Sequence, residues 1–381
     1  MKPTIYIFVD WFWPAYKAGG PVQSLINLCA VLENTERIHI ITSAYDLNEK
    51  VVLKGVKVNQ WNVVKLPGSG KRVNVWYNKG AWKHSSCIAV NGPGIFYFNG
   101  IFSFNFFLKP LIRKSWLGGK RQILICPRGM LQTGALSVKP LKKRIFLNVL
   151  KISRLVKNVH WHATNEEEEK DIKREFGNNA RTIIAPNIPK TPVLQWSYTK
   201  KEINKLRLVY ISLITEKKGL LEVLDVMTRT NYGISLDIYG PVKDRHYWEK
   251  CRKKLNQIRE KATYKGDLNP AQVQNTFEKY DASILLTKGE NFGHALYESF
   301  SAARPVMTSF FTPWTELDQN KAGWNVDISS PGQIIFKLNE ISKMNGEEFA
   351  PYCEGAIRRA SDYYNNLEAP KKYRNLFSMG E

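Results

Sequence analysis

ASILLTKGENFGHALYESFSAARP, residues 282–305, is the stretch of sequence from which the fold can be predicted. Its apolar start predicts a buried strand, and the pattern after Gly293 predicts a helix that contains Leu296 and Phe300. A strand that leads through a glycine-bearing loop into a helix is the repeating unit of parallel α/β sheets. The free amides and the dipole at the start of such a helix predict an anion site suited to a pyrophosphate.

The same alternation of short apolar runs and helical patterns extends along the 381 residues. Apolar runs lie at 5–9, 38–42 and 122–126, and again, after prolines near 186–192, at 206–212, 235–240 and 305–309. The rhythm predicts an α/β protein with two Rossmann-like domains that face a central cleft, the expected ligand site. We expect an N-terminal domain over 1–188, a C-terminal domain over 189–355, and a segment over 356–381 that returns across the junction, with a closing helix over about 352–376.

The chain is strongly basic, with a formal charge of +22, and the charge is unevenly placed. Residues 1–190 carry 29 Lys and Arg against 11 Asp and Glu, whereas the remainder carries 27 against 23. From Val51 to Asn165 there are 20 Lys and Arg and no carboxylate. Such a surface attracts substrate phosphates, anionic membrane headgroups or nucleic acid, or belongs to a generally basic protein, and composition alone does not choose among them.

The cysteines and the hydropathy argue against a zinc protein, a redox protein and a membrane-spanning protein. The five cysteines are scattered and form no C-x-x-C pair, which argues against a zinc or redox site and favours a reducing cytosol. The most apolar stretch, Ile95 to Leu108, is too short for a membrane span, which needs about 20 apolar residues. We therefore expect a globular, cytoplasmic protein without a transmembrane segment.

Two glutamates flank the start of the predicted helix. Glu290 precedes it and Glu298 lies more than one turn inside it, so the two side chains can hold opposite ends of one elongated ligand. A carboxylate accepts two hydroxyl hydrogen bonds, which is how acidic residues bind ribose diols in nucleotide sites. The spacing alone fits a pair of solvated surface glutamates equally well.

In full, this segment resembles the E-x(7)-E signature of retaining family-4 glycosyltransferases of the GT-B fold. Further stretches match that family in the expected order: WPAYKAGGPVQSL (13–25), PRGML (127–131), HATNEEE (162–168), APN (185–187), KKGL (217–220), YGP (239–241), KGDL (265–268), and TPW followed by AGW (312–324). The resemblance covers nearly the whole chain. It implies sugar transfer with retention from a nucleotide-diphosphate donor, in the assembly of a cell-surface polysaccharide such as capsule, O-antigen or exopolysaccharide.

The resemblance also assigns roles to residues. Glu298 would hold the donor ribose, Glu290 would face the donor sugar, and Lys218 would stabilise the leaving phosphate. Amides of Phe292, Gly293 and His294 would meet sugar hydroxyls, and those of Ala295 and Leu296 would meet phosphates. Gly19 and Gly20 after the first strand, and Gly240 and Pro241 with Asp267 and Leu268, would complete the donor site, although each of these glycine pairs and turns also fits a plain turn after a strand.

One position departs from the family pattern. The family usually has an arginine five residues before the lysine, and this chain has Leu213 there. Either Lys217, Arg128 or Lys17 supplies the missing charge, with Arg128 counted among the catalytic residues, or stabilisation of the leaving group is weaker than usual. The departure also supports an alternative: a degenerate, non-catalytic GT-B protein that binds an anionic membrane or nucleic acid.

Other sequence patterns argue against a metal ion, a cofactor, a nucleic-acid partner and a double displacement. There is no D-x-D sequence, and His160, His162 and His294 lack metal-ligand spacing, so we expect no metal and no cofactor. RNP-like, KH and zinc-finger patterns are missing, so nucleic acid is not an expected partner. The acidic run from Glu166 to Glu169 follows Asn165, and helix capping with first-turn charge accounts for it. The carboxylate-free stretch disfavours a double displacement, with Asp10 as the untested exception.

The basic N-terminal half contains two segments suited to a membrane surface. Residues 96–116 interleave aromatic residues with Lys109, Arg113 and Lys114, and residues 141–157 have the pattern of a basic amphipathic helix. Apolar faces with basic flanks suit the headgroup layer of an anionic bilayer, whereas a buried Phe-rich run beside a solvated helix fits the same pattern. On the first interpretation the acceptor is a lipid-linked glycan and the protein is peripheral on the inner face of the plasma membrane.

Overall fold

The protein consists of two α/β units, seen in a computed structural model that describes residues 4–32, 37–80, 94–114, 121–137, 139–192, 201–231 and 233–378. Unit 1 comprises Met1–Ile188 together with Glu368–Glu381, and unit 2 comprises Pro189–Leu367. Each unit has its own sheet and its own apolar core. The α/β class predicted from the sequence is confirmed.

Unit 1 is built on an eight-stranded sheet in the order β3-β4-β2-β1-β5-β6-β7-β8. Only β3 is antiparallel to its neighbour, and the other pairs are parallel. The strands are β1 (Thr4–Phe8), β2 (Ile38–Ser43), β3 (Trp61–Lys65), β4 (Arg72–Asn78), β5 (Gly94–Asn99), β6 (Arg121–Cys126), β7 (His160–Ala163) and β8 (Arg181–Ile184). The helices are α1 (Gly20–Val31), α2 (Lys109–Lys114), α3 (Thr133–Leu136), α4 (Pro140–Ile152) and α5 (Glu166–Phe176), and a π-helical turn spans Phe104–Leu108.

Unit 2 is built on a six-stranded, wholly parallel sheet in the order β11-β10-β9-β12-β13-β14. The strands are β9 (Leu206–Ile211), β10 (Ile234–Tyr239), β11 (Ala262–Gly266), β12 (Ala282–Leu285), β13 (Val306–Ser309) and β14 (Gly323–Val326). The helices are α6 (Leu220–Met227), α7 (Arg245–Gln257), α8 (Val273–Phe277), α9 (His294–Ser301), α10 (Pro331–Lys343) and α11 (Gly346–Asn365). The order reverses between β9 and β12, and ligands of such sheets bind at the carboxyl ends of the strands beside this reversal.

The chain returns to unit 1 later than the sequence suggests, and in a separate helix. The segment expected as one helix over about 352–376 forms α11 and then α12 (Ala369–Ser378). Residue 356 was expected to start the return, but Ala356 and Ala360 belong to the core of unit 2. The chain turns only at Glu368, whose φ of 44° is incompatible with a continuing helix, and Pro370 lies in the first turn of α12.

Two glycines bring the loops of unit 2 close together. A Cβ atom on Gly219 would lie 1.9 Å from the carbonyl oxygen of Leu286, and one on Gly240 would lie 1.9 Å from that of Ser212. Both residues also have positive φ values, which other residues rarely adopt. The glycines of KKGL and YGP are therefore explained by close backbone approach at the carboxyl ends of β9, β10 and β12.

Membrane spans and disulfides are not features of the described residues. No helix among them has the length and apolarity needed to cross a bilayer. Cys29, Cys126, Cys251 and Cys353 are buried free thiols, and burial raises the pKa of each to about 12, so these thiols stay protonated at neutral pH.

Candidate functional site

An ion pair between Lys218 and Glu290 lies where the sheet of unit 2 reverses. Lys218 ends a 3-10 turn over Glu216–Lys218, which follows β9, and Glu290 follows β12, the strand paired with β9. The ammonium group of Lys218 donates a hydrogen bond to the Glu290 carboxylate. The Glu290 side chain is only 9% exposed and that of Lys218 is 22% exposed. The structure therefore brings together two of the three residues predicted to be catalytic.

Backbone hydrogen bonds hold the Glu290 loop against two neighbouring segments. The amide of Glu290 donates to the carbonyl of Phe311 over 2.8 Å, and the amide of Lys288 donates to the carbonyl of Lys217 over 2.8 Å. The first bond ties the loop to the segment after β13, and the second ties it to the turn that carries Lys218. The ion pair is thus preorganised by the backbone as well as by charge.

The start of α9 has the geometry that the sequence predicts for an anion site. Gly293 precedes the helix with a φ of 78°, and the first amides of a helix have no intrahelical acceptor. Phe292 is buried, and its carbonyl accepts a 2.5 Å hydrogen bond from the indole nitrogen of Trp314, which fixes the loop. The amide of Leu296 already donates to the Gly293 carbonyl over 2.9 Å, so His294 and Ala295 are the better candidates for ligand contacts.

Glu298 has a cationic neighbour that the sequence does not reveal. Its carboxylate lies 3.3 Å from the ammonium group of Lys190 and its side chain is 17% exposed. Burial raises the pKa of Glu298, and the charge of Lys190 opposes this shift. The pairing joins residues 108 positions apart, and no local pattern indicates it.

The residues of the predicted nucleobase pocket make hydrogen bonds and apolar contacts within unit 2. The carbonyl of Pro241 accepts a 3.0 Å hydrogen bond from the amide of Ile214, and the hydroxyl of Tyr264 donates to the Gly240 carbonyl over 2.9 Å. Leu268 packs beside a small apolar cluster that includes Val209. These contacts hold the turn after β10 in place, and a role of Gly240, Pro241 and Leu268 in base binding stays a prediction.

Gly19 and Gly20 lie in unit 1, where Gly19 precedes α1 with a φ of 71°. The loop before them is held by Asp46, whose buried carboxylate accepts hydrogen bonds from the amides of Tyr16 and Lys17. The ammonium group of Lys17 lies 2.6 Å from the Glu49 carboxylate. The charge of Lys17, one of three candidates for the missing cation, is therefore engaged within unit 1.

Arg128, the third residue predicted to be catalytic, joins several segments of unit 1 through hydrogen bonds. Its guanidinium donates hydrogen bonds to the side-chain oxygens of Asn187, Asn99 at 2.7 Å, Tyr97 at 3.0 Å and Ser24 at 3.3 Å. All of these acceptors are neutral, and they come from three separate segments of the chain, since Tyr97 and Asn99 both belong to β5. This arrangement favours a positioning role for Arg128 over one in leaving-group stabilisation.

The histidine and the acidic run of HATNEEE are also structural. His162 is buried between the hydroxyl of Tyr97 and the carbonyl of Ala185, and burial followed by the charge of Arg128 lowers its pKa to about 3. The side chain of Asn165 caps α5, as expected from the sequence. Glu168 is more than a first-turn charge, because its buried carboxylate accepts a hydrogen bond from the amide of Gly129 and so supports the Arg128 loop.

Two exposed phenylalanines beside the ion pair were missed at the sequence level. Phe310 and Phe311 are 60% and 57% exposed, and they follow β13 directly. In the sequence the apolar run simply continues the strand pattern, so it predicts burial. An aromatic surface next to Glu290 suits the apolar face of a sugar ring.

Comparisons with known proteins agree with this geometry. Residues 197–359, nearly all of unit 2, match the family described as "Glycosyl transferases group 1". A search of curated protein sequences gave no match to the chain. Among solved structures, Anabaena HepE in complex with UDP and glucose has 12% identity and a TM-score of 0.70, covering 99% of this chain and 100% of that chain.

Two further structures resemble the chain over similar lengths. Sucrose-phosphate synthase from Thermosynechococcus elongatus has 14% identity and a TM-score of 0.72, covering 99% of this chain and 100% of that chain. WaaG, a glycosyltransferase involved in lipopolysaccharide biosynthesis, has 11% identity and a TM-score of 0.64, covering 98% and 100%. The fold is therefore that of GT-B glycosyltransferases, as predicted. Within unit 2, the match to the glycosyl transferases group 1 family agrees with this fold.

The Lys218–Glu290 pair can be tested through stability. Lys218→Met leaves a nearly buried carboxylate without its cation, so we expect the free energy of unfolding to fall by about 1–3 kcal/mol. Adding Glu290→Gln should recover part of this loss, giving a coupling energy of about 1–2 kcal/mol in denaturant titrations.

The more exposed pair between Lys254 and Asp225 is the matched control, because its side chains are 29% and 45% exposed. Its coupling energy should stay below about 1 kcal/mol. Equal coupling energies for the two pairs would contradict the special environment assigned to Glu290.

Proposed function

We propose that the protein is a retaining glycosyltransferase that takes a sugar from a nucleotide-diphosphate donor bound by unit 2. The observation that carries this proposal is the Lys218–Glu290 pair beside the start of α9, at the reversal point of a parallel sheet. Cation, carboxylate and helix amides are the groups that a sugar diphosphate needs. The matching domain family and the UDP and glucose bound by Anabaena HepE support the same donor class.

The proposed chemistry breaks the bond between the sugar anomeric carbon and the diphosphate oxygen. A bond forms between that carbon and an acceptor hydroxyl oxygen, and the hydroxyl proton passes to the departing diphosphate. Lys218 and the first amides of α9 stabilise the negative charge that develops on the diphosphate. Glu290 accepts hydrogen bonds from the sugar, and Glu298 accepts them from the ribose hydroxyls.

Retention is proposed through a front-face path, in which acceptor and leaving group share one face of the sugar. A double displacement needs a carboxylate nucleophile, and the stretch from Val51 to Asn165 has none. Asp10, the exception, is hydrogen-bonded by the hydroxyl of Ser103 over 2.7 Å, and burial raises its pKa. A carboxyl group shifted towards its neutral form is a poor nucleophile, which supports the front-face path.

Turnover should require no divalent ion, because Lys218 and the helix amides are proposed to stabilise the leaving group. The purified chain, incubated with a panel of nucleotide sugars in EDTA, should release a nucleoside diphosphate from one of them. Chromatography of the nucleotides measures this release. Loss of release in EDTA, restored by magnesium or manganese, would show that metal is required.

The same assay separates the enzyme from a degenerate binding protein. Lys218→Met should lower the rate of release by about 10²-fold or more, since it removes a charge that acts on the transition state. Release by the wild type at the level of Lys218→Met, for every donor, would favour the non-catalytic alternative.

Glu298→Ala should weaken binding of the nucleoside diphosphate by about 1.5–3 kcal/mol, the value of charge-assisted hydrogen bonds. Calorimetry with UDP, GDP and ADP measures it, with Glu347→Ala, a substitution at the start of α11, as control. Because the pKa of Glu298 is raised, wild-type affinity should decline as the pH falls through a value above the ordinary one for glutamate. Unchanged affinity in a folded Glu298→Ala variant would refute the ribose assignment.

We also propose that unit 1 faces an anionic membrane at the inner face of the plasma membrane and that the acceptor is a lipid-linked glycan of surface-polysaccharide assembly. The supporting feature is the outer face of α4. Leu141, Ile145, Val149 and Ile152 are 71%, 55%, 53% and 81% exposed. Their spacing places them along one stripe of the helix, whereas Leu147 and Leu150 on the other side are buried.

Exposed cations flank this apolar stripe. Lys142 and Arg144 lie on α4, Lys139 precedes it, and Arg154 and Lys157 follow it, all with exposed side chains. Lys143 is different, because its ammonium group donates to the Ala135 carbonyl over 2.5 Å and lies over the ring of Phe102. Apolar residues between cations are the arrangement of helices that lie in the headgroup layer.

Removal of the charges should reduce binding to anionic membranes. Lys142→Gln with Arg144→Gln removes two cations, each worth about 1 kcal/mol near such a surface, so cosedimentation with phosphatidylglycerol vesicles should weaken about 25-fold. Ile145→Ser with Ile152→Ser should also weaken it, because both side chains are exposed and lose apolar area for insertion.

Phe336→Ser with Lys343→Gln, at exposed positions of α10 in unit 2, is the matched control and should leave vesicle binding unchanged. Release of the nucleoside diphosphate should survive in all three variants. Equal binding of the wild type to phosphatidylcholine and phosphatidylglycerol vesicles, or no loss in either α4 variant, would refute the membrane assignment.

A further inference from the structure

The proposed diphosphate site has one expected cation, Lys218, and no second cation at Leu213. Leu213 follows β9 at the position where a second cation is expected, and its side chain has no charge. Two of the three replacements considered from the sequence, Lys17 and Arg128, are engaged within unit 1 by Glu49 and by neutral acceptors. The third, Lys217, lies in the same turn as Lys218. A further cation of unit 2 can come from a segment that packs beside Leu213.

The segment after β10 is such a segment. Ile214 forms an isolated parallel bridge with Val242, and its amide donates to the carbonyl of Pro241 over 3.0 Å. The Ile214 carbonyl in turn accepts hydrogen bonds from the amides of Lys243 and Asp244, both over 3.3 Å. The backbone of Lys243 is therefore anchored to the residue next to Leu213.

Lys218 and Lys243 follow the carboxyl ends of two paired strands, β9 and β10. Desolvation and the positive charge of Lys218 together lower the pKa of Lys243. The carboxylate of Asp244 does not bind it, because Asp244 caps α7 by accepting a 3.0 Å hydrogen bond from the amide of Tyr247. Among the described residues, no carboxylate forms an ion pair with Lys243, whereas Lys218 is paired with Glu290.

Two cations at neighbouring strand ends repel each other, and an anion bound by both removes this repulsion. The cation pair lies at the carboxyl ends of β9 and β10, next to the reversal point of the sheet. A diphosphate carries enough charge to satisfy both lysines, and a monophosphate offers only one phosphate group. Lysine binds phosphate as a point charge and needs no fixed planar geometry.

We propose that Lys243 binds the diphosphate of the donor together with Lys218. Lys243 thereby supplies the second positive charge, which is missing at Leu213. This inference rests on the proposed function, because it takes a nucleoside diphosphate as the ligand of unit 2. Lys243 and Lys218 both stabilise the negative charge of the diphosphate, so Lys218 is not the only lysine that acts on the leaving group. The chain thereby keeps two cations at the site, although one of them comes from a different strand end.

The test uses calorimetry on the full chain with UDP, GDP and ADP, each beside its monophosphate, and with inorganic pyrophosphate as a probe without a base. Lys243→Met should weaken binding of the preferred diphosphate and of pyrophosphate about 5- to 20-fold, and binding of the monophosphate much less. Lys243→Arg should restore the affinity, and the slope of affinity against salt should decrease in Lys243→Met. Lys253→Met, at an exposed position of α7, should match the wild type.

Each other outcome overturns a specific claim. If the wild type binds a diphosphate and Lys243→Met binds it equally well, the role of Lys243 is wrong and the proposed function stands. If Lys243→Met weakens the monophosphate and the diphosphate equally, Lys243 contacts another part of the nucleotide and the proposal fails. If the wild type binds none of the diphosphates and releases none from nucleotide sugars, the proposed function and the role of Lys243 fall together.

Discussion

The ion pair between Lys218 and Glu290 exists because β9 and β12 are neighbours in the sheet although β10 and β11 separate them in the chain. Each partner follows the carboxyl end of its own strand, so the reversal of strand order brings opposite charges to one place. Gly219 completes the arrangement, since any side chain there would collide with the carbonyl of Leu286 and push the Lys218 turn away from β12. The charge chemistry of unit 2 therefore depends on a close approach of two backbones.

Unit 1 has the same reversal, between β1 and β5, but its polar groups serve a different purpose. Asp10 and Ser103 follow these two strands and form a hydrogen bond with each other. Arg128 follows β6, the strand next to β5. Its guanidinium donates hydrogen bonds to neutral oxygens, among them those of Asn99 and Tyr97. In unit 1 these groups form hydrogen bonds within the unit, whereas in unit 2 the reversal carries an ion pair between Lys218 and Glu290. The cation at the reversal of unit 2 supports the proposal that the anionic donor binds there.

The sequence predicts features that depend on local patterns and misses those that depend on packing between distant segments. Strand rhythm predicts three of the eight strands in unit 1 and four of the six in unit 2, and Gly293 predicts the start of α9, because periodicity and helix starts are local properties. The structural role of Arg128 could not be predicted, since its acceptors come from three segments that are distant in the sequence. The neighbour of Glu298 is Lys190, over a hundred positions away, and the segment of Lys243 lies beside Ile214 only because β10 pairs with β9.

The charge of unit 1 and the exposed face of α4 are parts of one argument. A stretch of 20 cations without a carboxylate cannot neutralise itself, and an external anion lowers the self-repulsion of those cations that carboxylates of the same unit do not pair. Free phosphate would lower it but would leave Leu141 and Ile152 in water, and an apolar protein groove would cover these two residues but not the cations. An anionic bilayer accepts both, because its headgroups attract the cations while its acyl boundary takes the apolar stripe. The apolar residues and the cations together therefore support the proposed membrane surface on α4.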